Sequence, residues 1–360
     1  MLSLVLGTRP EIIKFSPIIR ECERRKIPYT ILHTGQHYSY GMDRIFFEEL
    51  ELPQPEYNLD VGSGPHGEQT GKILAGVEKV LINDRPDAVL VQGDTNTVLA
   101  GALAAVKLQI PVGHVEAGLR SFDRTMPEEI NRIVADHVGD YLFAPTQTAR
   151  RYLQHEGITD DKIFVTGNTI VDAVQQNLEI AKKKGDLLKE MGVKRGDFVL
   201  VTAHRAENVD VMEKLQGILA GLSSVGRETG LSVLFPVHPR TAKMIKEFGL
   251  SAPGIRMIEP MGYLEFLLLE SKARLLLTDS GGVQEEGCIL SVPCVTLREN
   301  TERPETLEAG SNVLAGTDPA TILEKTLEML ERNRDWKNPF GDGHTGRAIV
   351  EILREKGALG

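Results

Sequence analysis

The sequence has no excess of positive charge and no long apolar run, and each absence excludes a class of protein. Its 41 Lys and Arg residues are outnumbered by 51 Asp and Glu, which gives a formal net charge of −10 at pH 7. Broad nucleic-acid binding needs a basic face, so we do not expect it. A few arginines and helix N-termini can still bind a small anion inside an acidic protein. No apolar run approaches the ~20 residues of a membrane helix, so no membrane partner is expected.

Cysteine is also scarce, and no signal peptide is expected. The spacing of Cys22, Cys288 and Cys294 fits neither a disulfide framework nor a zinc site. The first apolar stretch, in MLSLVLGTRPE, is too short for a secretory signal, and charged residues follow it at once. We therefore expect a protein of the reducing cytoplasm that holds no metal.

Short apolar runs alternate with helical patterns along the whole chain. Most of these runs are continuous, which is typical of strands covered by helices on both faces. Alternating strands and helices predict parallel sheets with right-handed crossovers. The predicted strands are Leu2–Leu6, Tyr29–His33, Ala88–Gln92, Pro111–Val115, Tyr141–Phe143, Ile163–Thr166, Phe198–Thr202, Ser232–Val237, Arg256–Ile258, Leu275–Thr278 and Pro293–Leu297.

The chain of 360 residues is long for one hydrophobic core, so two domains are expected. A charged, glycine-containing stretch at 181–196 places the junction between them. Each half is interpreted as one doubly wound α/β unit, and the tail at 344–356 as an amphipathic helix. We expect a first domain of residues 1–168 with 344–360 and a second of residues 169–343.

Ligands of open α/β sheets bind beyond the carboxyl ends of the strands, so the residues that follow each strand are the candidates. After the first strand, Arg9 and Lys14 lie near the start of a helix, where they could clamp a phosphate or carboxylate. The alternative for Arg9 is an ion pair with a surface acid. Three acids, Asp94, Glu116 and Glu128, fall at the same sheet edge and are suited to proton transfer.

Each of these three acids also has a structural explanation. Asp94 or Thr95 could cap the helix that follows. Glu116 could be paired with Arg120, because a buried carboxylate without a partner is costly. Glu128 and Arg132, four residues apart, could form a surface ion pair.

In the second half, histidine and arginine follow the strands. His204 and Arg205 stand at the head of a helix, which favours an anion contact. His238 begins a similar but weaker pattern, HPR, and Arg303 follows the last predicted strand.

The stretch TDSGGVQEEG at 278–287 predicts a nucleotide site. Gly281 and Gly282 leave backbone N–H groups open to a phosphate at a helix N-terminus, with Ser280 beside them. Glu286, one turn after Gly282, can accept hydrogen bonds from two ribose hydroxyls. Capping alone would explain Asp279 and Ser280, but not the paired glycines with Glu286. No lysine follows the glycines, so this is not a Walker loop.

A second glycine-rich stretch, GSGPHG at 62–67, matches the dinucleotide pattern G-x-G-x-x-G. That motif requires a strand before it and a helix packed tightly behind it. Two prolines precede this stretch and Pro65 lies inside it, so we predict a loop and no NAD site.

An ordered set of segments resembles the non-hydrolysing UDP-N-acetylglucosamine 2-epimerases. They are GTRPEIIK, TGQH, QGDTNT, VEAGLRS, PEEINR, TAHRAEN, VHPR, TDSGGVQEEG and TERPE, and they run from residue 7 to residue 305. One segment would be a weak indication, whereas the ordered set is highly specific. The resemblance implies two Rossmann-like domains facing a cleft, as in the glycosyltransferase B fold, a C-terminal helix that returns to the first domain, and a homodimer.

The resemblance also implies interconversion of UDP-GlcNAc and UDP-ManNAc without NAD, metal or another cofactor. The C2 proton of the sugar is not next to a carbonyl, so a neighbouring bond has to break first. Elimination of UDP across C1–C2 gives 2-acetamidoglucal, and UDP then adds back as C2 is protonated on its opposite face. Such an enzyme must hold UDP, stabilise the leaving diphosphate and supply acid and base groups near C2.

By the resemblance, Asp94, Glu116 and Glu128 fall on the catalytic carboxylates of the family, and His204 on its catalytic histidine. Which carboxylate takes the C2 proton stays open. The substrate-binding residues that we expect from motif and resemblance together are Arg9, Lys14, Arg205, His238, Ser280, Gly281, Gly282, Glu286 and Arg303.

Two segments differ from the bacterial members, which bind a second UDP-GlcNAc as an activator through segments like QHRxM and ERQT. This chain has QHYSY at 36–40 and GEQT at 67–70, so that Glu68 stands where an arginine would be. An acid there repels a diphosphate, and we expect activation to be weak or differently built.

Three alternatives share parts of the pattern. A glycosyltransferase of the same fold would explain the nucleotide half but not the three carboxylates, and a non-catalytic nucleotide-sugar sensor would not need them. A 2-epimerase of a UDP-diacetamido uronic acid is barely distinguishable by sequence.

Overall fold

The chain forms two compact units, each described here by itself. The computed structural model describes residues 1–36, 40–183, 185 and 187–359, with the backbone alone for 40–43. The first unit comprises Met1–Gln176 and Phe340–Gly360, and the second comprises Asn177–Pro339. The domain bounds expected from the sequence, 1–168 with 344–360 and 169–343, remain a prediction about which segments fold on their own.

The strands of both units are parallel. They are β1 (Leu2–Leu6), β2 (Tyr29–His33), β3 (Tyr57–Asn58), β4 (Ala88–Gln92), β5 (Val112–Val115), β6 (Tyr141–Ala144), β7 (Ile163–Val165), β8 (Phe198–Thr202), β9 (Ser232–Pro236), β10 (Ile255–Ile258), β11 (Leu275–Thr278), β12 (Cys294–Thr296) and β13 (Asn312–Leu314). The first sheet has the order β3-β2-β1-β4-β5-β6-β7 and the second the order β10-β9-β8-β11-β12-β13. The predicted strands are therefore confirmed, with ends displaced by at most one residue, while β3 and β13 were missed.

Helices connect successive strands on both faces of each sheet. They are α1 (Arg9–Arg25), α2 (Tyr40–Glu49), α3 (His66–Asp84), α4 (Asn96–Lys107), α5 (Pro127–Val138), α6 (Gln147–His155), α7 (Thr169–Lys182), α8 (Leu187–Glu190), α9 (Ala206–Val209), α10 (Met212–Thr229), α11 (Pro239–Glu247), α12 (Tyr263–Glu270), α13 (Gly281–Ile289), α14 (Pro304–Glu308), α15 (Pro319–Glu331) and α16 (Thr345–Glu355). Within the described ranges, none of them combines the length and apolar character of a membrane span.

The strand order of each sheet changes direction once, between β1 and β4 in the first sheet and between β8 and β11 in the second. A crevice opens at such a switch point beyond the carboxyl ends of the strands, and ligands of open α/β sheets bind there. The chain segments at these two points are the ones singled out from the sequence: 7–14 and 93–96 in the first unit, and 203–205 and 279–282 in the second.

Helices cover the apolar residues on the faces of each sheet. In the first unit, Val5 and Val91 of the central strands pack with Ala100 and Ala104 of α4. In the second unit, a corresponding cluster joins the central strands β8 and β11 to α10 and α15. The cores therefore lie on the sheet faces, which leaves the carboxyl edges of the strands for polar residues.

The C-terminal helix α16 packs on α1 within the first unit. A Cβ on Gly346 would lie 2.9 Å from the Cβ of Pro17, so the two helices approach too closely for any larger residue. The Asp172 carboxylate accepts hydrogen bonds from the backbone N–H groups of Thr345 and Gly346, at 3.2 and 3.0 Å. These contacts place the end of the chain with its beginning.

The stretch GSGPHG is only partly the loop that we predicted. Residues 62–65 lie outside regular structure, but His66 begins α3 and Gly67 lies in its first turn, so the prediction is wrong there. Pro65 is the residue before the helix, and the preceding strand β3 has 2 residues. This geometry differs from a dinucleotide loop, in which a strand leads directly into the glycines.

Candidate active site

Glu116 directly follows β5 and is held from several sides. Its φ of +69° lies in the left-handed region, which residues with a side chain rarely adopt. Its Oε1 accepts hydrogen bonds from Lys14 Nζ at 2.6 Å and Asn168 Nδ2 at 2.8 Å, and its Oε2 accepts one from Gln92 Nε2 at 2.5 Å. Backbone strain of this kind persists where the surroundings over-determine it, and it clusters at functional sites.

Lys14, from α1, is the counter-ion of Glu116. The side chains of Lys14 and Glu116 are only 12% and 5% exposed, and a carboxylate buried to this degree is costly without a cation. The structural alternative for Glu116 is wrong, because Arg120 pairs instead with Asp136 and Glu156, at 2.7 and 2.6 Å.

Arg9 is the first residue of α1. Its guanidinium lies over the ring of Phe46, 5.6 Å from the ring centroid. Such a contact is attractive because the ring face is electron-rich. Arg9 is therefore positioned at the helix N-terminus, beside the loop that follows β1.

Asp94 is bound by Arg132 of α5, the helix that also carries Glu128. Arg132 donates to Asp94 Oδ2 from Nη2 at 2.5 Å and from Nε at 3.0 Å, and to Glu129 Oε2 from Nη1 at 2.7 Å. The structural alternative for Glu128, a surface ion pair with Arg132, is therefore wrong. Glu128 is half-buried one turn before Arg132, and it makes no hydrogen bond or ion pair with another residue of the described part of the chain.

Helix capping does not explain the polar stretch after β4. Thr95, not Asp94, occupies the N-cap position of α4, and its side chain makes no capping hydrogen bond. The Thr95 hydroxyl donates instead to Glu11 Oε1 at 2.5 Å.

We call the three acids Asp94, Glu116 and Glu128, together with Lys14, the carboxylate cluster.

His114 lies two residues before Glu116 and contacts Asp136 and the residue before Asp94, Gly93. Its Nδ1 lies 2.7 Å from Asp136 Oδ1 and its Nε2 lies 2.8 Å from the carbonyl oxygen of Gly93. Both partners only accept hydrogen bonds, so both ring nitrogens donate and the imidazole is a cation. Burial lowers the pKa of His114, but Asp136 and the Gly93 carbonyl outweigh it and raise the pKa above its ordinary 6.5.

Glu11 is a residue of the first unit that the sequence reasoning overlooked. It is 3% exposed, and its Oε2 accepts hydrogen bonds from the backbone N–H groups of Gly7 and Thr8 at 2.6 and 2.9 Å. Burial raises the pKa of Glu11 to about 7, against the hydrogen bonds from Thr95, Gly7 and Thr8 that lower it. The Thr8-x-x-Glu11 spacing of a capping box was the available signal.

Residues of the two segments that differ from the bacterial pattern form hydrogen bonds and an ion pair within the first unit. Gln36 Oε1 accepts hydrogen bonds from the backbone N–H and the hydroxyl of Thr97, at 3.0 and 2.8 Å. Gln69 Nε2 donates to the carbonyl oxygen of Gln36 at 3.0 Å. Glu68 is exposed and pairs with Lys72 at 2.6 Å. Residues 37–39 lie outside the described residues, and the expectation of weak activation stays a prediction.

In the second unit, Asp279 holds the loop that carries His204. Asp279 is fully buried. Its Oδ2 accepts hydrogen bonds from the backbone N–H groups of His204 and Arg205, each at 3.0 Å, and its Oδ1 lies 3.1 Å from His204 Nδ1. Capping of α13 by Asp279 is therefore wrong, because this side chain positions the 44% exposed imidazole of His204 instead.

Gly281 and Gly282 are the first two residues of α13, and Ser280 is its N-cap without a side-chain capping bond. Neither glycine has a positive φ, and an added Cβ would come no closer than 3.9 Å or 3.8 Å to its nearest neighbour. The fold of this unit does not require glycine here, so close approach of a ligand to the backbone is the better explanation.

Arginines around this helix N-terminus are paired with acids. Arg303 Nε lies 2.7 Å from Glu285 Oε1, and Arg298 donates to both oxygens of Glu302 at 2.9 and 2.8 Å. Arg205 Nη1 lies 3.6 Å from Glu302 Oε1. These pairs orient the arginines, and the hydrogen bond from Arg298 chiefly lowers the pKa of Glu302 to about 2.

His238 and Glu286 complete the second set of predicted residues. The ring of His238 lies 6.0 Å from that of His204, and its Nδ1 accepts a hydrogen bond from the backbone N–H of Arg240 at 3.2 Å. Glu286 is 7% exposed on α13 and lies against the side chains of Glu270 and Tyr263. We call His204, Arg205, His238 and Ser280–Gly282 the anion cluster.

Comparison with known proteins identifies the family of this chain. The family model described as UDP-N-acetylglucosamine 2-epimerase matches residues 20–354. A UDP-N-acetylglucosamine 2-epimerase of Methanocaldococcus jannaschii is 58% identical over 359 residues, which is 98% of each chain. The chain belongs to the UDP-N-acetylglucosamine 2-epimerase family.

Solved structures agree with this membership. The crystal structure of the Methanocaldococcus jannaschii UDP-GlcNAc 2-epimerase in complex with UDP-GlcNAc and UDP matches with a TM-score of 0.88, covering 98% of this chain and 99% of that one at 58% identity.

A relative with a different named substrate is also similar. A UDP-2,3-diacetamido-2,3-dideoxy-D-glucuronate 2-epimerase of Pseudomonas aeruginosa is 41% identical over 97% of this chain and 98% of its own. The two Rossmann-like units of this family member are those of the glycosyltransferase B type fold.

Proposed function

We propose that this chain is a UDP-N-acetylglucosamine 2-epimerase that interconverts UDP-GlcNAc and UDP-ManNAc. The observation that supports this most is the carboxylate cluster at the carboxyl edge of the first sheet, in which Asp94 and Glu128 accompany the strained, buried Glu116 and its partner Lys14. Nucleotide binding alone does not require such a cluster. Chemistry at a carbon that has to lose and regain a proton does require acids and bases.

The proposed reaction is an elimination followed by an addition. A base takes the C2 proton, the C1–O bond to UDP breaks, and the electron pair of the C2–H bond forms the C1–C2 double bond of 2-acetamidoglucal. UDP then adds back at C1 while an acid delivers a proton to the opposite face of C2. No oxidant or reductant is needed, because no electrons are gained or lost overall.

Asp94 and Glu128 are the better candidates for the proton transfers. Both oxygens of Glu116 already accept hydrogen bonds, from Lys14, Gln92 and Asn168. Asp94 uses only Oδ2 for Arg132, and Glu128 makes no contact of this kind in the described residues. We assign Glu116 to holding Lys14, and Arg9 and Lys14 to binding the substrate.

The second unit is proposed to bind UDP. The N–H groups at the start of α13, with Ser280, Gly281 and Gly282, fit a phosphate at the positive end of a helix. His204 and Arg205 stabilise the diphosphate as it leaves, with His204 held by Asp279. His238 and Arg303 are assigned to UDP as well, and Glu286 to the ribose hydroxyls. The proposal includes a homodimer in the cytoplasm that serves polysaccharide synthesis.

Incubation of the protein with UDP-GlcNAc in D2O tests this function. UDP-ManNAc should appear with deuterium at C2, without added NAD, metal or acceptor. Asp94→Asn and Glu128→Gln should each lose about 100-fold or more in rate, as expected for a missing proton carrier. Absence of both product and exchange in the wild-type protein would refute the proposal.

The substrate is the second point to test. The Pseudomonas aeruginosa relative carries the name of an epimerase of a diacetamido glucuronate. The same exchange experiment with UDP-2,3-diacetamido-2,3-dideoxyglucuronate should give little exchange. Faster exchange with that substrate than with UDP-GlcNAc would show that the diacetamido glucuronate is the preferred substrate.

A further inference from the structure

Glu270, at the end of α12, is a fully buried acid that the proposed mechanism does not use. Its side chain is 0% exposed. Neither carboxyl oxygen meets a nitrogen or hydroxyl donor among the residues that the structure describes. A carboxylate in such a place would be strongly destabilising, since burial without a partner disfavours the charged form.

The neighbour of Glu270 is another acid, Glu286. The two carboxyl groups interact directly, and the hydroxyl of Tyr263 also lies against Glu286. Glu285, the residue before Glu286, has its Oε1 2.7 Å from Arg303 Nε. Two carboxyl groups in contact in a buried site share one proton, because two like charges there would repel strongly.

Glu270 is the better candidate to carry that proton. Glu270 is the more buried partner, at 0% exposed against 7% for Glu286. Burial, followed by the negative charge of Glu286, raises the pKa of Glu270 well above its ordinary value. A neutral carboxyl group can donate one hydrogen bond, and a carboxylate can accept it.

We propose that Glu270 is a positioning residue, a protonated carboxylic acid whose O–H donates to Glu286 and orients that carboxylate toward the ribose hydroxyls of UDP. This inference rests on the proposed function, in which Glu286 binds the ribose. Glu270 and Tyr263 are neutral groups, which orient the Glu286 carboxylate without themselves cancelling its charge. A lysine or arginine in their place would neutralise that charge.

Two variants and two ligands test the orienting role. Calorimetry should show that Glu270→Gln, which keeps a neutral donor, binds UDP within about twofold of wild type. Glu270→Leu should bind UDP about tenfold more weakly, the effect of one hydrogen bond to a charged group. Its affinity for 2′,3′-dideoxy-UDP should be unchanged, since that ligand lacks the hydroxyls.

A matched control is available on the same helix. Glu265 is exposed, and Glu265→Gln should change neither affinity. Equal weakening of both ligands by Glu270→Leu would indicate a merely structural role and overturn the inference, as would no weakening of either. Thermal unfolding of each variant shows whether it is folded.

The pH dependence gives a second readout. As pH rises through the raised pKa of Glu270, the proton is lost, a second negative charge faces Glu286, and UDP affinity of the wild type should fall. In Glu270→Gln this fall should be absent. Among the described residues, other titratable groups near this site are Tyr263 on the same helix, Cys294 on β12 and Cys288 on α13. The Glu285–Arg303 pair adjoins Glu286, and Glu190 of α8 lies beside Glu265. A fall that persists in Glu270→Gln belongs to one of them or to the ligand and would contradict the proposal.

The failure of this inference is distinguishable from failure of the proposed function. The infrared absorption of protonated carboxylic acids in the ligand-free protein at neutral pH, to which Glu11 also contributes, should be reduced in Glu270→Gln. If wild type binds UDP but this absorption does not depend on Glu270, only the inference is wrong. If the absorption is reduced as expected but wild type does not bind UDP, the proposed function is wrong and Glu270 has no ribose role.

Discussion

Glu116 in the first unit and Glu286 in the second are both nearly buried acids, 6% and 7% exposed. Their partners are opposite in kind. Glu116 lies 2.6 Å from the ammonium of Lys14, whereas Glu286 lies against a second carboxyl group and a hydroxyl. A cation cancels the charge that it holds, while a neutral donor orients a charge and leaves it available. The partner of a buried acid, more than its burial, decides what that acid can do.

Removal of the cation from the first pair should have the largest effect. Lys14→Met leaves Glu116 buried without its counter-ion, and the free energy of unfolding should fall by about 3 to 5 kcal/mol. Urea unfolding at pH 7 measures this loss. Lys72→Met is a matched control, because Lys72 pairs with the exposed Glu68 and its removal should be barely measurable. A loss no larger than that of the control would mean that Glu116 is not a charged group that depends on Lys14.

Replacing Glu116 or Glu286 by glutamine should show a further difference between the two acids. Glu286→Gln should weaken UDP binding by about 10- to 100-fold, because hydrogen bonds from the ribose to a charged group are lost. It should lower the free energy of unfolding less than Glu116→Gln does, since Glu270 and Tyr263 beside Glu286 are neutral groups. Glu116→Gln should lower it, because Lys14 loses its counter-ion. The same stability change in both variants would remove the contrast between the units.

His114 offers a buried cation of another kind, at the base of the carboxylate cluster. Glutamine at this position cannot donate to both Asp136 and the Gly93 carbonyl from two rigidly opposed nitrogens, so His114→Gln should cost about 2 kcal/mol of unfolding free energy. The folded-state pKa of His114 is raised above 6.5, so its stabilisation is fully present below pH 6.5 and is lost as pH rises through the folded pKa.

The stability difference between wild type and His114→Gln should therefore be larger at pH 6 than at pH 9. His137→Gln is the control, because His137 is an exposed residue of α5 whose Nδ1 lies against the carbonyl oxygen of Ile133. A pH-independent difference would indicate that the His114 imidazole is neutral in the folded protein.

Glu11 completes the comparison among the buried groups. Its folded-state pKa is raised from 4.5 to about 7, so its contribution to stability is present below 4.5 and is lost as pH rises through about 7. The free energy of unfolding of Glu11→Gln should accordingly rise relative to that of wild type by about 2 kcal/mol between pH 5 and pH 8, the equivalent of this pKa shift over that range. Denaturation at both pH values measures it, with the exposed Glu23→Gln on α1 as control. A constant difference would mean that Glu11 is ionised throughout.

The sequence predicted the sheets well because their strands are continuous apolar runs. Leu2–Leu6 and Leu275–Thr278 are fully buried on both faces, and such runs have few other interpretations. The strands that it missed have 2 and 3 residues, and Tyr57–Asn58 and Asn312–Leu314 carry asparagine. Pairing with a neighbouring strand, rather than local pattern, makes them strands.

The positions of the candidate site residues could also be predicted, because parallel strands end at one edge. Their partners could not. The sequence suggested Arg120 for Glu116 and Arg132 for Glu128, since those residues are near in the chain. In the structure, Glu116 pairs with Lys14, 102 residues away, and Arg132 pairs with Asp94, 38 residues away.

The sequence by itself determined the order of strands and helices, the family, and which polar residues stand at the strand ends. These follow from local periodicity and from motifs that are continuous in the chain. Only the tertiary structure decided the state of each buried acid: Lys14 beside Glu116, His204 beside Asp279, and Glu270 beside Glu286. The reason is physical, because the charge on a buried group depends on burial and on neighbours within a few ångströms, and the fold brings those neighbours together from distant parts of the chain.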